Sequence, residues 1–260
     1  MRLHWFGRIL VRASAGFVRV QIFDRAMTVA AQAFTSIFPV LIMLSLVLGL
    51  RHSARLASLA HLPPASRRLL DEAFGGRGIG AFGVVGSVVV LVSATSLARA
   101  LARAYGAIWE RQRLPGGLAA TWRWFATILL LPVFVISSRV LAGLAGRLPM
   151  PRVSSAAVTL LADSAVAIML PWLVLGATVP VRMLVPGACI FGAAMLVVRP
   201  AGAVYLPRAL DVSAERYGTI GLAFTYIGWL YVLSFCLLAT AVLGRAVAED
   251  DSALGRLIRR

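Results

Sequence analysis

Residues 218–243, GTIGLAFTYIGWLYVLSFCLLATAVL, form an uncharged, largely apolar segment of 26 residues. A hydrocarbon core of roughly 30 Å is crossed by about 20 helical residues, so this segment is long enough to span a bilayer. Five further segments meet the same criterion: 26–50, 79–98, 124–143, 156–179 and 187–205. Lipid requires backbone groups to be hydrogen-bonded within helices or closed barrels, and these segments are too long for barrel strands. The sequence therefore predicts an all-α polytopic integral membrane protein with a six-transmembrane-helix bundle.

The rest of the chain is short and leaves little room for a soluble domain. Residues 1–25 are predicted to be a cytoplasmic amphipathic lead, 26–243 the transmembrane domain and 244–260 a cytoplasmic tail. An ordinary positively flanked start to the first span explains the lead equally well. The loop over residues 54–76 carries leucines at helical spacing and predicts short amphipathic loop helices. Because the first apolar segment follows a long basic lead and exceeds a signal-peptide core, we expect it to remain as a span.

The net charge of +16 comes from 26 basic residues, all of them arginine. In a soluble protein this charge would indicate nucleic acid, but here most arginines flank apolar segments, where anionic lipid head groups attract them. The lead, the second and fourth connections and the tail carry 15 arginines, against nine in the other three connections. Because arginine marks cytoplasmic loops, both termini are predicted to be cytoplasmic. The expected partners are anionic membrane lipids, and no nucleic acid is expected.

Cysteine and histidine give no indication of a metal or cofactor. Cys189 and Cys236 fall inside predicted spans, where small apolar packing residues are common. The three histidines are scattered over two loops predicted to lie on opposite sides. No cofactor is therefore expected.

Three charged residues lie within the predicted spans, and such charges mark candidate functional positions because they are costly in lipid. Arg139, Asp163 and Arg199 all fall in the outer half of the bilayer, so their depths are compatible. In one interpretation, Asp163 pairs with Arg139 or Arg199 and only holds helices together. In the other, the excess positive charge binds a phosphate or carboxylate in an outward-facing cavity.

The first span has a polar face that adds candidates for substrate binding. Gln32, Thr35 and Ser36 recur at helical spacing and are predicted to face the bundle interior. Interhelical hydrogen bonds explain these residues as well as a substrate path does. Prolines inside four spans, at positions 39, 132, 171 and 200, allow kinks around a cavity.

Several of these segments resemble the YihY/virulence factor BrkB family of bacterial inner-membrane proteins, a family once labelled ribonuclease BN. The strongest likeness is YGTIGLAFTYIGWLY at the start of the last span, followed by AIWERQR after the second span and SIFPVL in the first. The residues that fit the family pattern are Pro39, Trp109, Arg111, Pro132, Pro180, Arg182, Gly187, Tyr205, Tyr217, Gly218, Trp229 and Tyr231. The resemblance implies an inner-membrane location.

The chain also departs from the family pattern. Ala31 replaces a usual aromatic residue, Leu196 an acidic one, and Thr240 to Val242 a frequent Gly-Ala-Glu. The missing carboxylates weaken the expectation of coupling to a proton or sodium ion. Trp109 and Arg111 lie outside the hydrocarbon, so Trp109 is expected to anchor the connection at the membrane interface. Arg111 is expected to bind lipid phosphate or a helix end.

Three functions are consistent with this sequence. The intramembrane arginines, kinked helices and basic rims favour transport or translocation of an anionic or lipid-like substrate. A membrane scaffold that binds partners through its basic segments is the alternative. The older family label suggests a ribonuclease, but the carboxylates are dispersed and form no site for two catalytic metals. No enzymatic activity is therefore expected.

Overall fold

The computed structural model describes residues 2–47, 79–111 and 150–250, and in addition 117, 123, 124, 127, 134, 137, 140–144, 255 and 256. Every regular element in these ranges is helical, which confirms the all-α prediction for this part of the chain. The helices are α1 (Arg2–Val20), α2 (Ile22–Val47), α3 (Ile79–Ile108), α4 (Pro151–Val174) and α5 (Val181–Ala248). The third predicted span is described only at isolated residues, and the predicted loop helices of residues 54–76 lie outside the described residues.

Helix ends follow from local sequence in two places. Helix α4 begins with Pro151, whose missing N–H and fixed φ suit the first turn. After α4, the Ala177 N–H donates to the Trp172 carbonyl at 2.7 Å while Gly176 has a φ of 68°. This is the Schellman motif, in which a residue with left-handed backbone angles ends a helix. The N–H of the following residue then donates to a carbonyl in the last turn of that helix.

Helix α5 contains the last two predicted spans and folds back on itself at Gly218. Gly218 has φ 60° and ψ −141°, a non-helical conformation that a residue without a Cβ adopts at little cost. We call residues 181–217 the first arm of α5 and residues 219–248 its second arm. The predicted spans 187–205 and 218–243 therefore correspond to two arms of one helical hairpin.

The two arms pack antiparallel and in close contact. A Cβ added to Gly244 would overlap the backbone of Gly187, and one added to Gly202 would overlap the Trp229 ring. The two contacts are separated by 15 residues on each arm (187 to 202 and 229 to 244), so the register is kept between them. Small residues let helix backbones approach in this way, as they do in membrane helix pairs.

Among the residues that the structure describes, two helices are long and apolar enough to cross a membrane by length and composition. They are Val153–Val174 and Val181–Ala248, the latter holding both arms of the hairpin. Only 33% of the most apolar stretch of each is buried by the rest of the chain. Large apolar side chains such as Leu161, Val197 and Phe224 are about two-thirds exposed. Large apolar side chains left uncovered on long apolar helices are typical of helices that face lipid rather than water.

Helices α1, α3, α4 and the second arm of α5 end close together, and we call this region the arginine-rich end. Hydrogen bonds join Trp124 to the Val174 carbonyl, Arg111 to the Thr178 carbonyl and Arg245 to the Ile108 carbonyl. The main core cluster also lies here and combines residues from α2, α3, α4 and α5. The described parts of the segments predicted to be cytoplasmic are therefore gathered at one end of the molecule.

Candidate functional site

A buried ion pair joins α4 to the first arm of α5. The Arg199 Nε atom donates to Asp163 Oδ2 at 2.9 Å, and the adjacent NH2 group donates to Oδ1, so the contact is bidentate. The Asp163 side chain is 6% exposed and that of Arg199 is 27% exposed. The prediction that Asp163 pairs with one of the two intramembrane arginines is confirmed. Arg139 lies outside the described residues, and its place in a shared site stays a prediction.

Close packing beside the pair fixes the distance between the two helices. A Cβ added to Gly192 on the first arm would overlap the Ser164 hydroxyl and crowd the Leu160 carbonyl. The Ser164 Oγ atom is buried and has no hydrogen-bond partner among the described residues. Because Gly192 brings the helices together two turns before Arg199, the guanidinium reaches a carboxylate that the protein otherwise covers.

The polar face of the first span mostly joins α2 to α3. The Ser36 hydroxyl donates to the Ser93 carbonyl at 3.0 Å, and the Ser96 hydroxyl donates to the Gln32 side-chain oxygen. Thr35 instead donates to the Gln32 carbonyl within its own helix. The structure therefore does not bring these three residues into contact with the Asp163–Arg199 pair. Interhelical bonding, one of the two interpretations drawn from the sequence, accounts for Gln32 and Ser36.

At the arginine-rich end, guanidinium groups bind the last carbonyls of several helices. Arg25 donates to the Val20 carbonyl at 2.7 Å, Arg245 to Ile108, and Arg12 to the Glu249 carbonyl at 3.2 Å. Helix C-termini carry unpaired carbonyls and a partial negative charge, so cations stabilise them. Sequence reasoning attributed these arginines to lipid head groups alone and missed this role.

Glu110 connects three segments at the same end. Its carboxylate pairs with Arg19 of α1 and, at 3.1 Å, with Arg245 of α5. The hydrogen bond and charge of Arg245 hold the pKa of Glu110 below its ordinary value, so this carboxylate is ionised at neutral pH. The backbone of Glu110 is left-handed, with φ 52°, at the position where a helix usually ends in glycine. In the sequence, the one feature that pointed to Glu110 is its position directly after the residues AIW of the family motif AIWERQR.

Trp109 and Arg111 contact protein on either side of Glu110. Trp109 packs against the main core, and its indole N–H is buried without a hydrogen-bond partner. Arg111 donates to the Thr178 carbonyl at 2.9 Å, in the connection that follows α4. The sequence predicted that Arg111 binds either lipid phosphate or a helix end. The Thr178 carbonyl lies a few residues beyond the end of α4. The expectation that Trp109 anchors the connection at a membrane interface stays a prediction.

A small cavity lies beneath Trp109. It measures about 10 Å³ and is lined by residues from α3, α4 and both arms of α5, including Tyr105, Pro171 and Gly187. The Tyr105 hydroxyl is buried without a hydrogen-bond partner, and burial raises the pKa of its phenol. A volume of about 10–15 Å³ is the least that holds one water molecule, so this cavity cannot take a larger substrate.

Several of the remaining family-pattern residues lie at a helix boundary, at the tip of the hairpin or in a packing contact. Pro180 directly precedes α5, Gly187 allows the arms to touch, Gly218 forms the tip, and Tyr231 stacks on Phe235 with centroids 6.3 Å apart. Three others are exposed on the surface: Arg182, Tyr205 and Tyr217. The backbone of Pro39 lies within α2, whereas Pro132 is outside the described residues.

Long apolar helices with largely uncovered surfaces, joined by a buried ion pair, define a helical membrane protein. The chain belongs to the virulence factor BrkB family, because the model of that family matches residues 13–257, nearly the whole sequence. The resemblance read from the sequence motifs is thereby confirmed. Comparisons with curated proteins and with solved structures gave no match.

Proposed function

We propose that this protein translocates an anionic or lipid-like substrate across a bacterial inner membrane. In this proposal all six apolar segments span the bilayer, both termini are cytoplasmic, and the protein is not an enzyme. The substrate moves through a polar cavity between kinked helices, and Arg199 recognises its phosphate or carboxylate group. The Asp163–Arg199 pair is the observation that carries the proposal.

The pair supports the proposal because burying two charges is costly where apolar residues would pack equally well. Replacing a buried ion pair by apolar residues of similar volume is often neutral or stabilising, so the pair is weak evidence for a purely structural role. Charged residues inside membrane helices more often serve a substrate pathway. The unequal exposure of the partners fits this role: Asp163 is covered, whereas Arg199 is reachable from one side.

Arg199 retains hydrogen-bonding capacity for a second anion. A guanidinium group has five N–H donors in a planar fork, and Asp163 uses two of them. The remaining donors suit a phosphate or carboxylate, which forms charge-assisted bonds with arginine. In the proposed cycle, the substrate anion binds these donors first and then competes with Asp163 for the guanidinium.

In the proposed cycle, prolines in the same two helices are the positions at which the helices bend and the site opens. Pro200 follows Arg199 directly, and Pro171 lies inside α4. Proline lacks an N–H, so each leaves a carbonyl one turn earlier without its helical partner. In membrane helices such positions allow bending, because neighbouring groups satisfy the freed carbonyl. Bending at Pro200 changes the position of Arg199 relative to Asp163.

The proposal is tested with purified full-length protein in liposomes that contain fluorescently labelled phosphatidylglycerol or phosphatidylcholine. Accessibility of each label to a membrane-impermeant quencher measures translocation, and entry of inorganic phosphate is measured in parallel. We expect protein-dependent movement of phosphatidylglycerol or phosphate, lowered about tenfold or more by Arg199→Gln through loss of a charge-assisted contact. Arg208→Gln is the matched control, since Arg208 is exposed on the same arm.

Two results would count against translocation. One is anion movement no faster than in protein-free liposomes. The other is equal loss of rate in the Arg199 and Arg208 variants, which would assign the effect to surface charge. Thermal unfolding of the Arg199→Gln protein establishes that it is folded before its rate is compared.

The scaffold is a second candidate because the polar groups of α2 are used in helix contacts. Ser36 and Gln32 both bond to α3, and such bonds fill a bundle rather than line a path. A scaffold would show no transport in either assay while retaining a stable fold. It would bind partners through the segments at the arginine-rich end.

A further inference from the structure

A cleft of about 630 Å³ opens at the arginine-rich end, away from the Asp163–Arg199 pair. It lies between the α1–α2 corner and the last turns of α3, and its charged lining residues are Arg19, Arg25, Arg103, Glu110 and Arg111. Four guanidinium groups therefore face one carboxylate. Neither Asp163 nor Arg199 lines the cleft, so the cleft is a separate site.

The cleft keeps an excess of positive charge after its internal contacts are counted. Glu110 is shared between Arg19 and Arg245. Arg25 donates to the Val20 and Arg103 carbonyls, and Arg111 donates to the Thr178 carbonyl. Carbonyl oxygens are neutral, so these contacts fix the positions of Arg25 and Arg111 without cancelling their charge.

Arg103 is the lining residue that helix capping does not explain. Its guanidinium is exposed and forms no hydrogen bond or ion pair with the described part of the chain. It lies more than a turn before the end of α3, whereas the capping arginines reach the last carbonyls of a helix. Arg103 is therefore placed to bind an anion from outside the chain.

The exposed side of α3 indicates where that anion comes from. Val92, Arg99 and Arg103 share one side of the helix, since they are 7 and 4 residues apart, and all three are exposed. Arg99 lies about 6 Å and Val92 about 16 Å from Arg103 along the axis. Along this line the two arginines are followed by Thr95, which is partly buried, and then by Val92. The charged end and the apolar end therefore lie in the order of a phospholipid's head group and acyl chains.

We propose that this cleft binds the phosphate group of an anionic phospholipid from the adjacent leaflet. Arg103 and Arg25 contact the phosphate, and the acyl chains lie along α3 past Arg99 toward Val92. A dedicated lipid site on the arginine-rich end does not depend on translocation and would be retained in a scaffold. It is distinct from general attraction of basic loops to the membrane, because it needs particular residues.

The test measures binding of short-chain phosphatidylglycerol to the full-length protein in detergent by native mass spectrometry. Short-chain phosphatidylcholine and glycerol phosphate are the comparison ligands. Phosphatidylglycerol is expected to bind most tightly, and Arg103→Gln is expected to weaken it about fivefold, the factor typical of one arginine near an anionic lipid. Arg182→Gln is the matched control, because Arg182 is exposed near the start of α5 and does not line the cleft.

Three outcomes would overturn this inference. Equal weakening by Arg103→Gln and Arg182→Gln would show unspecific charge attraction. Equal binding of phosphatidylcholine and phosphatidylglycerol would show that net negative charge is not recognised. Glycerol phosphate as good a ligand as phosphatidylglycerol would assign the cleft to a soluble phosphate.

Discussion

Arg199 and Arg245 both pair with carboxylates, but their surroundings differ. Arg245 binds Glu110, Glu249 and the last carbonyl of α3, so its donors are used within the protein. Toward the described residues, Arg199 uses only Nε and one NH2 group, both on Asp163, and keeps donors in reserve. At the scale of single residues, donor use therefore separates a structural arginine from a candidate binding arginine.

Removing only the carboxylate of the buried pair should destabilise the protein. Asp163→Ala leaves the Arg199 charge without its partner, and breaking a buried pair in this way costs about 3–5 kcal/mol. The combined change Asp163→Asn with Arg199→Gln removes both charges and is expected to recover most of the loss. Unfolding in detergent micelles measures both effects.

Asp211→Asn is the control for Asp163, because Asp211 is an exposed carboxylate on the arm of α5 that carries Arg199. Its free energy of unfolding should stay within about 0.5 kcal/mol of the unchanged protein. If Asp163→Ala were as mild as Asp211→Asn, the ion pair would contribute little and Arg199 would satisfy its charge elsewhere.

At the scale of elements, the α5 hairpin depends on its tip and on small residues between its arms. Ser213 and Thr225 place their hydroxyls 2.8 Å apart on opposite arms near Gly218. Gly187 and Gly244 close the other end of the hairpin. The two arms keep the same register from one contact to the other. A change in the conformation of the tip therefore affects the packing along both arms.

Gly218→Ala should destabilise the hairpin. A side chain at φ 60° and ψ −141° is strained, and such positions cost about 1–3 kcal/mol. Gly228→Ala is the matched control, because Gly228 lies within the second arm and an added Cβ would meet nothing within 4 Å. Alanine favours a helix over glycine, so this control should be neutral or stabilising by up to about 1 kcal/mol. Equal loss of stability in both variants would contradict the account of the tip.

At the scale of the whole molecule, the arginine-rich end brings both terminal segments together. Arg12 near the start contacts Asp250 near the end, with 3.3 Å between Arg12 NH1 and Oδ1. Helix C-terminal carbonyls and the predicted cytoplasmic arginines meet at this same end. Cations there stabilise helix termini, and in the proposed topology they also favour retention of these segments in the cytoplasm.

The proposed topology predicts which side of the membrane each end of the hairpin faces. In a variant with Cys189 and Cys236 replaced by serine, a cysteine at position 216 beside the tip should react with a membrane-impermeant maleimide in intact cells. A cysteine at position 182 should react only after the membrane is permeabilised. Both changes replace exposed arginines, so the comparison is matched. The reverse labelling pattern would mean that the termini lie outside.

The sequence by itself determined the helical class and the family. A bilayer makes the length of an apolar segment decisive, and that length is a local property of the sequence. Apolar length marks the span and not the whole helix: α3 continues ten residues past its predicted span, because a helix does not end where its residues become polar. Asp163 and Arg199 were identified because a charge inside an apolar segment is conspicuous.

Only the tertiary structure decided which groups meet. It paired Asp163 with Arg199 across 36 residues, used Gln32 and Ser36 to join α2 to α3, and gathered Arg19 and Arg245 around Glu110. These contacts depend on the rotation and separation of packed helices. Glycines such as Gly187 and Gly192 set the rotation and the separation of the helices, because a neighbouring helix packs directly against them. Sequence spacing does not show which helix that neighbour is. Local sequence therefore fixes which segments are helical and apolar, whereas packing fixes which of their polar groups meet.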